Sequence, residues 1–189
     1  WDHAVRAAFP ALRGDVVTSW GVTAAERAAP LPCDELVPGE AMVLDRAVDV
    51  AAPAAVTFRW LCQLRVAPYS YDLIDNGGRR SPRTLTPGLD RLEVGQRMCR
   101  IFTLDSFVPG SSLTLRLTSA RGRRAFGDAA ITYVVLPTGP AGSRILARVR
   151  AAGLDPVRRW ALGWGDLIMM HKQLRTFAAL AASTAAAAD

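Results

Sequence analysis

Apolar and polar residues alternate with a period of two through much of the second half of the chain. Leucine alternates with threonine and arginine over residues 113–118, and residues 145–150 repeat the pattern. Turn signals such as Pro109-Gly110 and the proline- and glycine-rich residues 137–142 separate these segments. Strands with one dry and one wet face are typical of antiparallel sheets. We therefore predict a meander of roughly six short strands in this half of the chain.

One strand and two helices are predicted before the meander. Residues 42–50 alternate in the same way and form the first strand. Pro53 suits the first position of a helix, and Trp60 and Leu64 lie four residues apart on its apolar stripe. A shorter helix is predicted within residues 69–76, because the two glycines that follow favour a helix end.

The chain closes with a long predicted helix. Asp155 is a suitable N-cap and Pro156 suits the first helical position. The helical period continues to about residue 182, and two neighbouring stripes are apolar, so a large surface must cover the helix. One stripe contains Trp160, Trp164, Leu167, His171, Leu174 and Ala178, and the other contains Gly163, Met170, Phe177 and Ala181.

The order of these elements predicts an α+β fold. Strand, helix, short helix, antiparallel meander and long helix follow one another, and a curved sheet can bury the long helix by wrapping around it. Side chains need not fill all of the space between a helix and a concave sheet. We therefore predict a hydrophobic cavity there, with Trp160, Trp164, Met169, Met170 and His171 as candidates for its wall. The alternative is that these side chains simply pack the core.

Residues 1–40 are predicted to form an N-terminal arm that packs on the domain of residues 41–189. The arm lacks a sustained period. Thr23 and Glu26 have the spacing of a capping box, which predicts one short helix within the arm. Trp1 and Trp20 are its candidate anchors.

The net charge of +6 comes almost entirely from arginine, since Lys172 is the only lysine. The arginines are scattered, and the densest cluster, Arg121, Arg123 and Arg124, is predicted to lie in a hairpin turn. A nucleic-acid-binding protein usually concentrates its basic residues on one face, so no nucleic-acid partner is expected.

Motifs for metals and cofactors are not recognised. The three cysteines, Cys33, Cys62 and Cys99, have neither paired nor zinc-binding spacing and are expected to be free thiols. No metal cluster, P-loop or dinucleotide fingerprint is present, so neither a metal nor a cofactor is expected. Without a recognisable signal peptide or membrane-spanning segment, a cytoplasmic monomer or homodimer is expected.

The segment of residues 66–83 concentrates polar groups between the first helix and the meander, and we expect it to shape the mouth of the cavity. It holds Tyr69, Tyr71 and two carboxylates, Asp72 and Asp75, three positions apart on the short helix. Paired carboxylates can act as general acid and base. Ion pairs with the arginines of residues 79–83 that clamp the loop are the alternative.

Several short motifs also carry a resemblance to a known family. They are WLCQL at 60–64, APYSYD at 67–72, DN at 75–76, GRRSPR at 78–83, FGD at 126–128 with Tyr133, and QLR at 173–175. The chain resembles the START-like superfamily, also called SRPBCC, and within it the bacterial polyketide cyclase/dehydrase and lipid-transport type. The resemblance covers about residues 42–182. The resemblance implies a helix-grip fold, in which a curved antiparallel sheet wraps around the C-terminal helix. It does not separate binding proteins from enzymes.

These observations lead to two main functional hypotheses. The first is binding of a hydrophobic small molecule, lipid or polyketide-like, in the internal cavity. The second is an aromatase/cyclase or dehydratase without a cofactor, with His171, Tyr133 and Tyr71 as candidate acid/base residues. A third hypothesis is an interaction module that uses the arm and the basic residues 121–124. The candidate ligand-binding residues are Trp60, Tyr69, Tyr71, Phe102, Phe107, Tyr133, Trp164, Leu167 and His171.

Overall fold

The computed structural model describes residues 14–187, and in this range seven strands form one sheet in the order β1-β2-β7-β6-β5-β4-β3. The short β1 pairs in parallel with β2, and every other pairing in the sheet is antiparallel. The strands are β1 Ser19–Trp20, β2 Met42–Val50, β3 Arg97–Met98, β4 Phe102–Val108, β5 Ser112–Leu117, β6 Asp128–Gly139 and β7 Gly142–Ala152.

Seven α-helices accompany the sheet within the described range. Five of them are short, whereas α4 follows β2 and α7 forms the end of the described chain. The helices are α1 Gly14–Thr18, α2 Ala24–Ala28, α3 Pro32–Leu36, α4 Ala54–Cys62, α5 Asp72–Asp75, α6 Ala120–Phe126 and α7 Pro156–Ala186. None of these helices is both long and apolar enough to cross a bilayer.

The strand register sets which side chains face α7. Neighbouring strands place their inward residues side by side in rows across the sheet. One row contains Leu44, Val149, Ile131 and Leu115, and the next contains Arg46, Ala147, Tyr133 and Leu113. All of these residues are buried, so this face of the sheet forms the main core. Arg46 is the one charged residue in these two rows, where the other side chains are uncharged.

The two halves of α7 have different surroundings. In its C-terminal half, Leu174, Phe177 and Ala181 are buried in the main core, where α7 also contacts α4. Its N-terminal half faces the concave side of β4–β7, where the interior is not filled. The long helix therefore closes the core at one end and covers a cavity at the other.

The outer face of the sheet is covered by α2 and α3, and Arg148 on β7 holds them there. Its side chain is only 4% exposed, and its Nε donates a hydrogen bond to Asp45 Oδ1 at 2.7 Å. Nη1 donates to the Ala29 carbonyl at 2.8 Å and to Asp34 Oδ2 at 3.0 Å. Nη2 donates to the carbonyls of Glu26 at 3.1 Å and Arg27 at 2.7 Å. The Arg148 guanidinium thus donates hydrogen bonds both to carbonyl groups at the end of α2 and to the Asp34 carboxylate in α3.

The predicted α+β helix-grip fold is confirmed by this architecture. The first strand has the predicted bounds, Asp155 caps α7 by accepting from the Arg158 N–H, and Thr23 and Glu26 form the predicted capping box. All three cysteines are free thiols, as expected. The division at residue 40 stays a prediction, and Trp1 lies outside the described residues.

One prediction of local structure was wrong. The basic residues 121–124 lie in helix α6, not in a hairpin turn, because Ser119 accepts a hydrogen bond from the Gly122 N–H and starts a helix. The meander contains five strands between Arg97 and Ala152, where roughly six were predicted.

Candidate functional site

A cavity of about 810 Å³ lies between the N-terminal half of α7 and the concave face of the sheet. Apolar side chains dominate its wall. The sheet contributes Phe102, Leu115, Ala129, Ile131, Tyr133 and Val149, and α7 contributes Ala161, Leu162, Ile168, Met169 and Met170. Ile74 of α5, Phe126 of α6 and the residues 99–101 also line it. Pro68, Ser70 and Ile74 of the segment 66–83 are thus among the lining residues, and the expectation that this segment shapes the mouth stays a prediction.

Small residues on both sides leave this space empty. Ala129 on β6 faces the cavity, as do Ala161 and Gly165 on α7. A Cβ atom added at Gly165 would meet no atom within 4 Å, apart from its own helix backbone. At Gly163, one half-turn earlier, the same atom would lie 2.9 Å from Val17 and 3.0 Å from Met42. Gly163 is therefore required for close packing, whereas Gly165 is an exposed residue at the cavity with open space beside it.

The cavity has a hydrogen-bonded polar group on its wall. Tyr133 donates its hydroxyl proton to Gln173 Oε1 at 2.8 Å, and Gln173 Nε2 donates to the Pro68 carbonyl at 2.6 Å. Since a carbonyl only accepts, the amide orientation of Gln173 is fixed by this chain. Complete burial raises the pKa of Tyr133 well above its ordinary value, so the phenol stays protonated at neutral pH. The hydroxyl oxygen of Tyr133 can accept a hydrogen bond from a ligand, but its proton is already donated to Gln173.

Asp166 is the ionisable group on the cavity wall that sequence reasoning missed. Its side chain is 8% exposed, and its Oδ2 lies 2.9 Å from Nη2 of the fully buried Arg46. That nitrogen directs a hydrogen bond to the Val17 carbonyl at 2.6 Å, and no aligned donor among residues 14–187 reaches Asp166 Oδ2. Burial raises the pKa of Asp166 to about 6, although the Arg46 charge opposes the rise. The carboxylate is thus a poorly solvated acceptor beside an apolar space.

Asp166→Asn should change how stability depends on pH. In the wild type the pKa of Asp166 is higher in the folded state, about 6 against 3.8, so the folded protein holds this proton more tightly. The contribution of Asp166 to the free energy of unfolding therefore falls as pH rises through this interval. We expect the fall to be roughly 3 kcal/mol, at about 1.4 kcal/mol for each pKa unit, and to be absent from the variant.

Urea unfolding of both proteins at several pH values measures this difference. Burial lowers the pKa of His171, which acts in the opposite sense, but both proteins keep that residue. Removing Asp166 also leaves Arg46 unpaired, which lowers the free energy of unfolding of the variant. This loss does not change with pH between about 4 and 6, because arginine stays charged. Parallel pH profiles for the two proteins would contradict a raised pKa at Asp166.

The structure places the predicted ligand-binding residues in three environments. Phe102 and Tyr133 line the cavity. Trp60, Tyr69 and Phe107 belong to the main core or pack against it, Trp60 donating its indole N–H to Thr184 Oγ1 at 3.0 Å. Tyr71 and Trp164 are exposed, and neither these two nor Leu167 is among the residues that line the cavity.

His171, the predicted acid/base residue, lies on another side of α7. Its ring packs edge-on against the Trp20 ring, with 4.6 Å between the centroids. Trp20, a predicted anchor of the arm, therefore covers His171 instead of leaving it open to the cavity. Neither His171 nor Tyr71 stands beside Tyr133 on the cavity wall, so the three candidate catalytic residues are not brought together.

The Asp72 carboxylate holds the loop that follows α5. Its Oδ2 accepts from the Ser81 N–H at 2.9 Å and its Oδ1 from the Ser81 hydroxyl at 2.5 Å. The predicted clamp is thus built with Ser81, not with an arginine, and the side chain of Asp75 lies outside the described part. The predicted pairing of Asp72 and Asp75 for acid/base chemistry stays a prediction.

A sequence signal for the missed pair was present on β2. Leu44, Arg46 and Val48 occupy alternate positions, so an arginine sits where the pattern requires an apolar residue. A charge on the buried face of a strand demands a buried partner. That partner, Asp166, is 120 positions away in sequence (166 − 46), and only the docking of α7 on the sheet identifies it.

Comparisons with known proteins concern the fold alone. No protein-family model matches the chain, and no curated protein matches it. Among solved structures, the Zhui aromatase/cyclase from Streptomyces sp. R1128 is 16% identical, with a TM-score of 0.48 over 75% of this chain and 94% of that one. A START superfamily protein from Mycobacterium smegmatis is 14% identical, with a TM-score of 0.46 over 78% of this chain and 99% of that one.

A third similar structure is larger. The di-domain aromatase/cyclase BexL from the BE-7585A biosynthetic pathway is 14% identical, with a TM-score of 0.48 over 72% of this chain, and the match spans 45% of its own length. At such identities the likenesses carry no functional assignment. The helix-grip architecture itself rests on the order of elements along the chain and of strands in the sheet, with α7 packed against the sheet.

Proposed function

We propose that this protein binds a hydrophobic small molecule, a lipid or a polyketide-like compound, in the cavity beneath α7. The observation that carries the proposal is the cavity itself, about 810 Å³ with a mainly apolar wall. Binding sites for small molecules have volumes of about 300–1,000 Å³, apolar walls and a few fixed polar groups. Each Å² of apolar ligand surface removed from water contributes about 25 cal/mol, which is the driving force for entry.

Polar groups on the wall set the orientation of the ligand. The Tyr133 oxygen and Asp166 Oδ2 are both acceptors that can receive a hydrogen bond from a ligand hydroxyl. A ligand with a hydroxyl group directed at these atoms is therefore favoured over a pure hydrocarbon. Arg100 and Arg158 stand on the rim and can contact a polar end that remains near solvent.

Native mass spectrometry of the freshly purified protein tests the proposal directly, because a co-purified ligand adds its own mass. Delipidated protein should also bind N-phenyl-1-naphthylamine, an uncharged probe that fluoresces in apolar surroundings. We expect saturable binding of one probe molecule per chain. If no mass is added and the probe does not bind, the cavity is not a ligand site.

The position of Asp166 favours a second candidate function, an aromatase/cyclase or dehydratase acting on a polyketide-type substrate. A carboxylate with a pKa of about 6 can accept a proton near neutral pH, and here it lies next to an apolar space that would hold the substrate. The Asp166→Asn variant separates the two functions. If the protein is a carrier, the variant keeps its affinity for the probe, and neither protein turns over a ketide substrate. If the protein is an enzyme, the variant still binds the probe but loses the turnover of a ketide substrate that the wild type shows.

A further inference from the structure

A second pocket lies on the other side of Ser70, outside the apolar cavity. Its volume is about 460 Å³, and its wall consists of the segment after α4 and one side of α7. The residues that line it are Tyr69, Ser70, Asp72, Arg80, Ser81, Arg83, Lys172 and Thr176. Unlike in the cavity wall, every residue in this set carries a polar side-chain group. Among the described residues, Ser70 alone lines both.

The charges in this pocket favour an anion. Arg80, Arg83 and Lys172 contribute three positive charges against the single carboxylate of Asp72. Both oxygens of Asp72 already accept from Ser81, so its charge is directed into the loop. Among the side chains that the structure describes, none of the three cations forms an ion pair with a carboxylate. A guanidinium pair with a nearby ammonium is a typical arrangement for binding phosphate or carboxylate.

Tyr69 provides independent support for a ligand at this place. The residue is 1% exposed, and its ring is fixed between Trp60 and Phe177, with centroid distances of 6.0 Å and 5.0 Å. Its hydroxyl has no hydrogen-bond partner within the described residues. Burial and the neighbouring charge of Asp72 raise the pKa of Tyr69 to about 12, so the hydroxyl keeps its proton and remains a donor. A buried donor without an acceptor costs free energy, which a bound oxyanion would recover.

We propose that this pocket binds an oxyanion, a phosphate or carboxylate group, through Arg80, Arg83 and Lys172, with the Tyr69 hydroxyl as a further donor. Such a group can come from a free anion or from the head of an amphiphile whose tail occupies the adjacent cavity. The two sources share the same recognition chemistry, and Ser70 marks the border across which an amphiphile would extend.

Isothermal titration of the full chain with inorganic phosphate and with dodecyl phosphate tests the site and separates its sources. The test variant is Arg80→Gln/Arg83→Gln. The matched control is Arg79→Gln/Arg97→Gln, which removes the same charge from exposed arginines that do not line the pocket. We expect the test variant to bind at least about tenfold more weakly than the wild type, and the control to change much less. Added salt should weaken wild-type binding.

The pattern of binding identifies the source of the anion. Saturable phosphate binding that the test variant loses supports a free-anion site. Tight binding of dodecyl phosphate alone, again lost in the test variant, supports a site for a head group. If neither ligand binds, or if test and control variants bind equally well, the proposal is overturned. The proposal for the apolar cavity is tested independently, because its probe, N-phenyl-1-naphthylamine, is uncharged and its binding does not require these arginines.

Tyr69→Phe distinguishes a ligand donor from a structural tyrosine. Removing the unpartnered hydroxyl should weaken anion binding severalfold without lowering the melting temperature, since no hydrogen bond within the protein is lost. An unchanged affinity together with a lower melting temperature would assign the hydroxyl a structural role and remove it from the proposed site.

Discussion

Arg148→Met should lower the free energy of unfolding by about 3–5 kcal/mol, the usual result of removing one member of a buried ion pair. The side chain makes five hydrogen bonds, to Asp45, Asp34 and three carbonyls of residues 26–29. Burial opposes the charge of Arg148, but the hydrogen bonds and negative charges of Asp45 and Asp34 together outweigh this effect and raise the pKa of the guanidinium. Methionine fills a similar volume without replacing any of these donors. Urea unfolding of variant and wild type measures the loss.

Two further variants show where the cost arises. Arg144 also binds the arm, through Glu26, but its side chain is 16% exposed and the bond is nearer to water. Arg144→Met should therefore cost less than Arg148→Met. In Arg148→Met/Asp45→Leu the carboxylate that would be left buried and unpaired is also removed, so the two losses should not add. Additive losses would contradict a coupled buried pair.

Hydrogen exchange identifies the part of the molecule that Arg148 holds. Residues 23–36 should exchange faster in Arg148→Met, because both α2 and α3 lose their attachment to the sheet, whereas the amides of β6 in the centre of the sheet should stay protected. Uniformly faster exchange would show that Arg148 supports the whole fold and not the arm alone.

The elements that local chemistry determines were predictable from the sequence. The strand at residues 42–50 follows from alternation, and the start of α7 follows from Asp155 and Pro156, whose signals lie within a few residues. Ser119 shows the limit of such signals. It is an equally local cap, but the arginines and glycine around it resemble a turn, and only its bond to the Gly122 N–H reveals the helix.

A space between the long helix and the sheet could be expected from the sequence, but most of the residues that line it could not. A long helix on a curved sheet implies a space between them, and Phe102 and Tyr133 do line it. The apolar stripes of α7 do not show which partner covers each part of the helix. His171 shares a stripe with other large residues, yet Trp20 of β1 covers it. Trp60 likewise meets Thr184, 124 positions later in the chain.

Long-range contacts explain what sequence reasoning missed. Arg148 reaches residues up to 122 positions away, and Tyr133 finds Gln173 only when α7 docks on β6. Glycine at 165 gave no signal at all, because absence of a side chain is informative only when the surrounding space is known. The functional volume is thus a property of packing between distant segments, and sequence periodicity describes each segment by itself.

Gly165→Trp should abolish binding of N-phenyl-1-naphthylamine while leaving the protein folded. Gly165 lines the cavity, and its added Cβ meets no atom within 4 Å, so an indole there has open space to occupy. Replacing glycine inside a helix also favours folding by up to about 1 kcal/mol. The melting temperature should therefore stay level or rise as probe binding disappears.

Gly163→Trp is the matched control, with the same substitution two residues earlier. There a Cβ would lie 2.9 Å from Val17 and 3.0 Å from Met42, so a larger side chain must push α1 and β2 away. Overpacking of this kind costs about 1–3 kcal/mol, and the melting temperature should fall. Full probe affinity in a folded Gly165→Trp protein would place the ligand outside the cavity. Loss of binding together with unchanged phosphate affinity would locate the hydrophobic site beneath α7 and separate it from the basic pocket around Tyr69.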